Sequence, residues 1–117
     1  MLAILLSLSL LITDPQPEQP AERELKCEIG PLSKSLGGND WLIYACQDGR
    51  SVVIAAGATN PATPFFFIVR PDRDGINLYG EGTGDKSASE PAYNELKDLK
   101  ASDLRALYDQ AVAAGSK

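Results

Sequence analysis

The sequence predicts an α+β domain: an antiparallel sheet of about five strands, built from hairpins, followed by two C-terminal helices packed on one face. Three observations carry this. Short β-rich runs separated by Gly- and Pro-containing turns fill the chain from Leu25 to Glu81. Apolar residues recur at helical spacing only in the C-terminal third. Strands that come first and helices that come last argue against the alternating units of a parallel sheet.

The elements follow in order. Leu25 to Ile29 alternates apolar and polar side chains, as a half-buried strand does, and Gly30-Pro31 stops it. Ser33 to Asn39, with Gly37-Gly38, reads as a loop. Trp41–Gln47 and Arg50–Ala56 are β-rich runs separated by Asp48-Gly49, which favours a two-residue type I′ turn because both positions then take positive φ. That turn sets Cys46 opposite Ser51, Tyr44 opposite Val53 and Leu42 opposite Ala55. The other face then carries Trp41, Ile43, Ala45, Val52, Ile54 and Ala56, all apolar, and is the expected core.

Gly57 to Pro64 is a loop, and Phe65 to Val69 is a strand that is apolar on both faces. Such a run calls for cover on both sides, from the first strand, the preceding linker or another subunit. Arg70 to Gly75 is a turn, Ile76 to Glu81 a returning strand, and Gly80 to Gly84 a break. Ser89-Glu90-Pro91 begins a helix carrying Tyr93, Leu96 and Leu99 at helical spacing. Ser102 caps a second helix whose stripe is Leu104, Leu107, Tyr108, Ala111 and Val112, and Gly115 ends it.

Composition narrows the function. The 117 residues carry a formal net charge of −5 and no histidine. The eleven Lys and Arg residues form no run, so the basic stripe that releases counterions from nucleic acid is missing, and no Lys/Arg-rich amphipathic helix favours anionic lipid. Without histidine there is no Ser-His-Asp or Cys-His arrangement and no imidazole for a metal. No catalytic residue, metal ligand or cofactor is assigned.

Residues 1–12 read as an apolar leader. The run Leu2 to Ile12, broken only by Ser7 and Ser9, would span about 16 Å as a helix, roughly half a bilayer core but the right length for a signal-peptide h-region. No Lys or Arg precedes the run, and the small-x-small triplet Ser7-Leu8-Ser9 lies inside it. Residues 13–24, with Pro15, Pro17 and Pro20 among charged residues, read as an extended linker. Residues 25–117 form the domain. Cys27 and Cys46 are then expected to form a disulfide in an exported, periplasmic or secreted protein with no stable membrane insertion after processing. Lys26 before Cys27 argues against lipidation, and the wide cysteine spacing argues against a redox or zinc motif.

Four residues stand out as candidate ligand contacts: Glu81, Thr83, Asp85 and Lys86. They belong to the glycine-rich stretch Gly80–Ser87, which sits between a strand and a helix as phosphate loops do. Asp85 interrupts the Gly-Lys pair of a nucleotide loop, and Glu81 and Asp85 would repel phosphate, so a small polar ligand is the expectation instead. Asp72-Arg73-Asp74-Gly75 resembles part of an EF-hand, but Arg70 occupies the first ligand position, and a hairpin turn is the better reading. Trp41, Tyr44, Phe65–Phe67 and Tyr79 read as core rather than as a ligand pocket, and Arg50 and Arg70 as strand-end charges.

The stretch Tyr44-Ala45-Cys46-Gln47-Asp48-Gly49-Arg50-Ser51-Val52 resembles the opening hairpin of periplasmic C-type lysozyme inhibitors, Tyr-x-Cys-x-x-Gly followed by a strand. The resemblance covers nine residues. It implies an all-β barrel and an inhibitory Ser-Gly-x-x-Tyr loop; this chain has no Ser-Gly pair, and no functional residue carries over. The expectation is therefore a small exported, non-enzymatic protein that binds a protein or a small polar ligand. Its rivals are a small carboxylate- or Lys-dependent enzyme and an envelope subunit that oligomerises through its sheet.

Overall fold

The computed structural model describes residues 25–116; the expected leader (1–12) and linker (13–24) lie outside them. Five strands form one sheet in the order β1 (Ile29–Leu36), β2 (Asn39–Ala45), β3 (Val52–Ala56), β4 (Phe65–Asp72) and β5 (Gly75–Gly82). Every neighbouring pair is antiparallel, so the sheet is a meander. Two helices follow, α1 (Lys86–Leu96) and α2 (Ala101–Gly115). The α+β architecture is the one the sequence predicts.

Register across the sheet sorts the side chains. Ala45 pairs with Val52 and Val52 with Val69; Ile43 pairs with Ile54 and Ile54 with Phe67. These residues, with Trp41, make one continuous apolar face, and all are buried. Leu96, Leu104, Leu107, Tyr108 and Ala111 of the helices close over it. Each large side chain so buried stabilises the fold by about 1.5–3 kcal/mol relative to exposure. Trp41 donates its indole N–H to the Leu36 carbonyl at 3.2 Å, so its burial leaves no donor unsatisfied.

The opposite face carries Leu42, Tyr44, Val53, Ala55, Phe66 and Ile68, which are half-buried, and Tyr79, which is exposed. No described element covers it. The first strand, expected as one possible cover, lies in the sheet itself.

Local details differ from the sequence reading. Of the expected strand Leu25–Ile29 only the last residue joins the sheet, and the expected loop Ser33–Asn39 is mostly strand. The ladder is irregular between Ile29 and Leu32, and Gly30 sits at φ +136°. Gly37 and Gly38, at φ +60° and +88°, make the two-residue turn between β1 and β2. Conversely, the β2–β3 connection is not a two-residue turn. Gly49 N donates to Cys46 O at 3.2 Å and Cys46 N to Ser51 O at 2.9 Å, which closes a four-residue loop over Gln47–Arg50. The register expected from a turn centred on Asp48-Gly49 is unchanged, because the longer loop has the same centre.

The strand β5 runs through to Gly82 instead of breaking at Gly80, and β4 extends to Asp72 with Arg73-Asp74 as the turn. Helix α1 starts at Lys86, capped by Asp85, rather than at Ser89, and Pro91 lies inside it. Its buried residues are Ala88, Ser89, Ala92 and Leu96, while Tyr93 is 44% exposed. The small alanines let the helix approach the strand ends closely, and the larger Tyr93 is left outside. Helix α2 starts after Lys100, whose N–H donates to Asp103 Oδ2 at 2.9 Å; Ser102 is within the helix. Its stripe is the expected one: Leu104, Leu107, Tyr108 and Ala111 are buried and Val112 is half-buried.

Helix α1 ends near the β1–β2 turn, where Gly37 N donates to Glu95 Oε2 at 2.7 Å. Helix α2 is tied to the β2–β3 loop: Tyr108 Oη donates to Cys46 O at 2.8 Å and Arg105 Nη1 to Gly49 O at 2.9 Å. Cys27 and Cys46 are bonded, with an S–S distance of 2.10 Å and a sequence separation of 19. Gln47 N donates to Lys26 O at 2.7 Å, so the segment before β1 is held beside the end of β2 without joining the sheet.

Candidate functional site

A groove of about 340 Å³ lies between β5 and the first two turns of α1. Phe65 and Phe67 on β4 form its floor, Gly80 and Gly82 on β5 one wall, and Lys86, Ser89, Glu90 and Tyr93 on α1 the other. The groove exists because of the two glycines. Phe67 pairs with Gly80 and Phe65 with Gly82, so each ring has a bare backbone as its neighbour. A Cβ on Gly80 would come within 3.0 Å of Phe65 Cζ and of the Phe67 ring. The rings stay ordered by packing on one another and on Trp41, with centroids 4.9 Å apart for Phe65–Phe67 and 5.3 Å for Trp41–Phe67.

The polar wall comes from one side of α1. Lys86, Ser89, Glu90 and Tyr93 recur at intervals of three or four residues and therefore share a face. Lys86 forms no ion pair with a described residue. Ser89 is only 5% exposed, and no described residue makes a hydrogen bond with its hydroxyl. A buried hydroxyl without a partner costs about 1–3 kcal/mol, so Ser89 is a group in the groove that a ligand or a water would satisfy.

Of the sequence candidates, Glu81 and Lys86 line the groove; Thr83 and Asp85 do not. The Glu81 side chain lies on the open face, where its carboxylate accepts from Tyr79 Oη at 2.8 Å. That hydrogen bond and the Glu81 charge hold the Tyr79 phenol above its ordinary pKa. The Asp85 carboxylate caps α1, accepting from Ser87 N at 2.9 Å and Ser87 Oγ at 2.8 Å, and these bonds lower its pKa. The amides of the glycine-rich stretch are engaged as well. Thr83 N and Gly84 N donate to Pro64 O, and Asp85 N donates to Pro61 O at 3.1 Å. Gly84 permits this close passage, since its Cβ would sit 1.7 Å from Ala62 O.

Phe65, Phe67, Ser89 and Tyr93 were not among the candidates. Their sequence signals, a triple-phenylalanine strand and a helix-start serine, point to core and cap. Only the fold reveals that glycines on the next strand leave those rings open.

A second depression, of about 270 Å³, lies between β1, the end of α1 and α2, with Lys34, Glu95, Asp103 and Gln110 at its rim. Among the described residues no group of three or more Cys, Asp or Glu side chains is placed to hold a metal ion, and no helix is long and apolar enough to cross a membrane. Comparison with protein-family models, with curated proteins and with solved structures finds no match to this chain.

Proposed function

We propose that this is a small exported, non-enzymatic interaction protein whose binding surface is the β5–α1 groove and the strand beside it. The observation that carries the reading is the groove itself: an aromatic floor, bare glycine backbone and a buried, unpartnered Ser89 hydroxyl beside an uncommitted Lys86. The Cys27–Cys46 bond is consistent with an oxidising compartment, and the leader-like run Leu2–Ile12 supports export. The carboxylate-enzyme alternative is less well supported. Asp85, a candidate contact, is poorly suited to act as a general acid, because its hydrogen bonds with Ser87 lower its pKa.

The test is site-specific photocrosslinking in the native host, with a photoreactive phenylalanine analogue replacing Tyr93 in the groove or Ala113 on the exposed side of α2. A discrete crosslinked species at position 93 and none at 113 is expected, on protein that has lost its leader and carries an intact disulfide. Equal labelling at both positions, or none at 93, would reject the groove as a binding surface.

A further inference from the structure

We propose that β5 pairs edge to edge with β5 of a second copy of this chain, joining two meanders into one ten-stranded sheet. The inference rests on the groove-and-edge reading above and names the occupant.

The two edges of the sheet are treated differently. Along β1 there are Pro31, an irregular ladder between Ile29 and Leu32, and Lys34, three features that discourage strand addition. Along β5, Gly75-Ile-Asn-Leu-Tyr-Gly-Glu-Gly82, there is no Pro, Lys or Arg and a single charge, Glu81. An eight-residue edge strand without such protection is a template for another strand.

The phase of the ladder decides which groups are free. The two-residue turn Arg73-Asp74 makes Asp72 and Gly75 a hydrogen-bonded pair, and such pairs alternate along the strands. Asn77, Tyr79 and Glu81 therefore bond to β4, and so does Thr83, whose N–H donates to Pro64 O at 3.0 Å. Ile76, Leu78, Gly80 and Gly82 direct their N–H and C=O groups outward. These are also the residues on the groove side of the sheet.

A two-fold axis at Tyr79 brings these free groups into register. Leu78 then pairs with Gly80 of the second copy, and Ile76 with Gly82. Each branched side chain lies beside a glycine, where the sheet has a vacancy, and Leu78 of the second copy reaches the mouth of the groove over Phe65 and Phe67. On the open face, Tyr79 meets Tyr79 of the second copy, and Asn77 lies opposite Glu81, an amide facing a carboxylate. No like charges sit directly opposite one another in this register. Tyr79, 54% exposed in the single chain, is covered. Such an interface is isologous and closes at two copies.

The experiment is sedimentation equilibrium of the oxidised protein over a range of concentrations, combined with hydrogen exchange. The expected result is a reversible dimer, with amides of Leu78, Gly80 and Gly82 gaining protection as concentration rises while those of Asn77 and Tyr79 are already protected. Asn77→Glu sets a carboxylate opposite Glu81 twice per dimer and is expected to weaken association roughly tenfold. Asn77→Glu with Glu81→Lys is expected to restore it. Within the single chain Asn77 Nδ2 also donates to Asp72 Oδ2 and Glu81 accepts from Tyr79 Oη, so circular dichroism and melting of the dilute variants check the fold, and recovery of association in the double variant separates lost pairing from lost stability. A monomer at the highest concentration overturns the proposal, and so does a dimer indifferent to Asn77→Glu. In either case a crosslink from position 93 to a different protein would leave the groove as a binding surface intact.

Discussion

The Tyr108 hydroxyl of α2 donates to the backbone carbonyl of Cys46 at 2.8 Å, across 62 residues of sequence. The same residue, Cys46, holds the disulfide to Cys27 and begins the loop that Arg105 reaches. One buried hydrogen bond therefore links the last helix to the covalent staple of the sheet. Tyr108→Phe keeps the ring and leaves the carbonyl without that donor, so the variant is expected to lose about 1–2 kcal/mol of stability. Urea denaturation measures this; an unchanged midpoint would mean that the carbonyl finds another donor.

The disulfide closes a short loop in a small domain. Replacing both cysteines by serine is expected to cost about 3 kcal/mol through the larger conformational freedom of the unfolded chain. Thermal melts of the oxidised protein and the double variant, at the same concentration, provide the comparison. Alkylation of the native protein without reductant should label neither sulfur.

Asp48 organises the β2–β3 loop. Its Oδ1 accepts from Arg50 N and Ser51 N at 2.9 and 2.8 Å, and its Oδ2 from Ser51 Oγ at 2.5 Å. Burial pushes its pKa up, but the hydrogen bonds from Ser51 and Arg50 and the Arg50 charge outweigh it, and the net shift is downward. Its contribution is therefore full above the unfolded value near 4 and is lost as pH falls through the lower folded value. Asp48→Asn is expected to be about 1–2 kcal/mol less stable at pH 7, with the difference shrinking once the pH is below both values. Denaturation of both proteins across the acid range tests the sign; a difference that grows toward low pH would contradict it.

The two turn glycines make opposite predictions. A Cβ on Gly37 would sit 2.6 Å from Pro91 Cβ and 2.7 Å from Ala92 N, and φ is +60°. Gly37→Ala must push α1 away and is expected to cost at least about 2–3 kcal/mol. At Gly38, with φ +88°, nothing lies within 4 Å. Gly38→Asn, a residue tolerant of left-handed backbone, is expected to cost less than about 1 kcal/mol. Equal melting temperatures for the two variants would reject this account of the turn.

The legible parts of the chain were those with strong local periodicity. Trp41–Ala45 and Val52–Ala56 alternate so clearly that the core face and the register could be read directly, and the α2 stripe from Leu104 to Ala111 was equally plain. The strand β1 was hidden because an edge strand is half exposed and needs little apolar content; Leu32 and Leu36 between serines and Lys34 read as loop. The start of α1 was hidden because Asp85 and Ser87 resemble a ligand loop, and their role as a cap depends on where the helix lies.

From its residues alone this chain determined its class of architecture, the apolar face of its central hairpin, and the pairing of its two cysteines. All three follow from local spacing or from a count with one solution. The groove, the bare glycines facing Phe65 and Phe67, and the difference between the two sheet edges were decided only by tertiary structure. Which side of a strand meets a neighbour, and which hydrogen-bonding groups remain free, depends on register across strands distant in sequence.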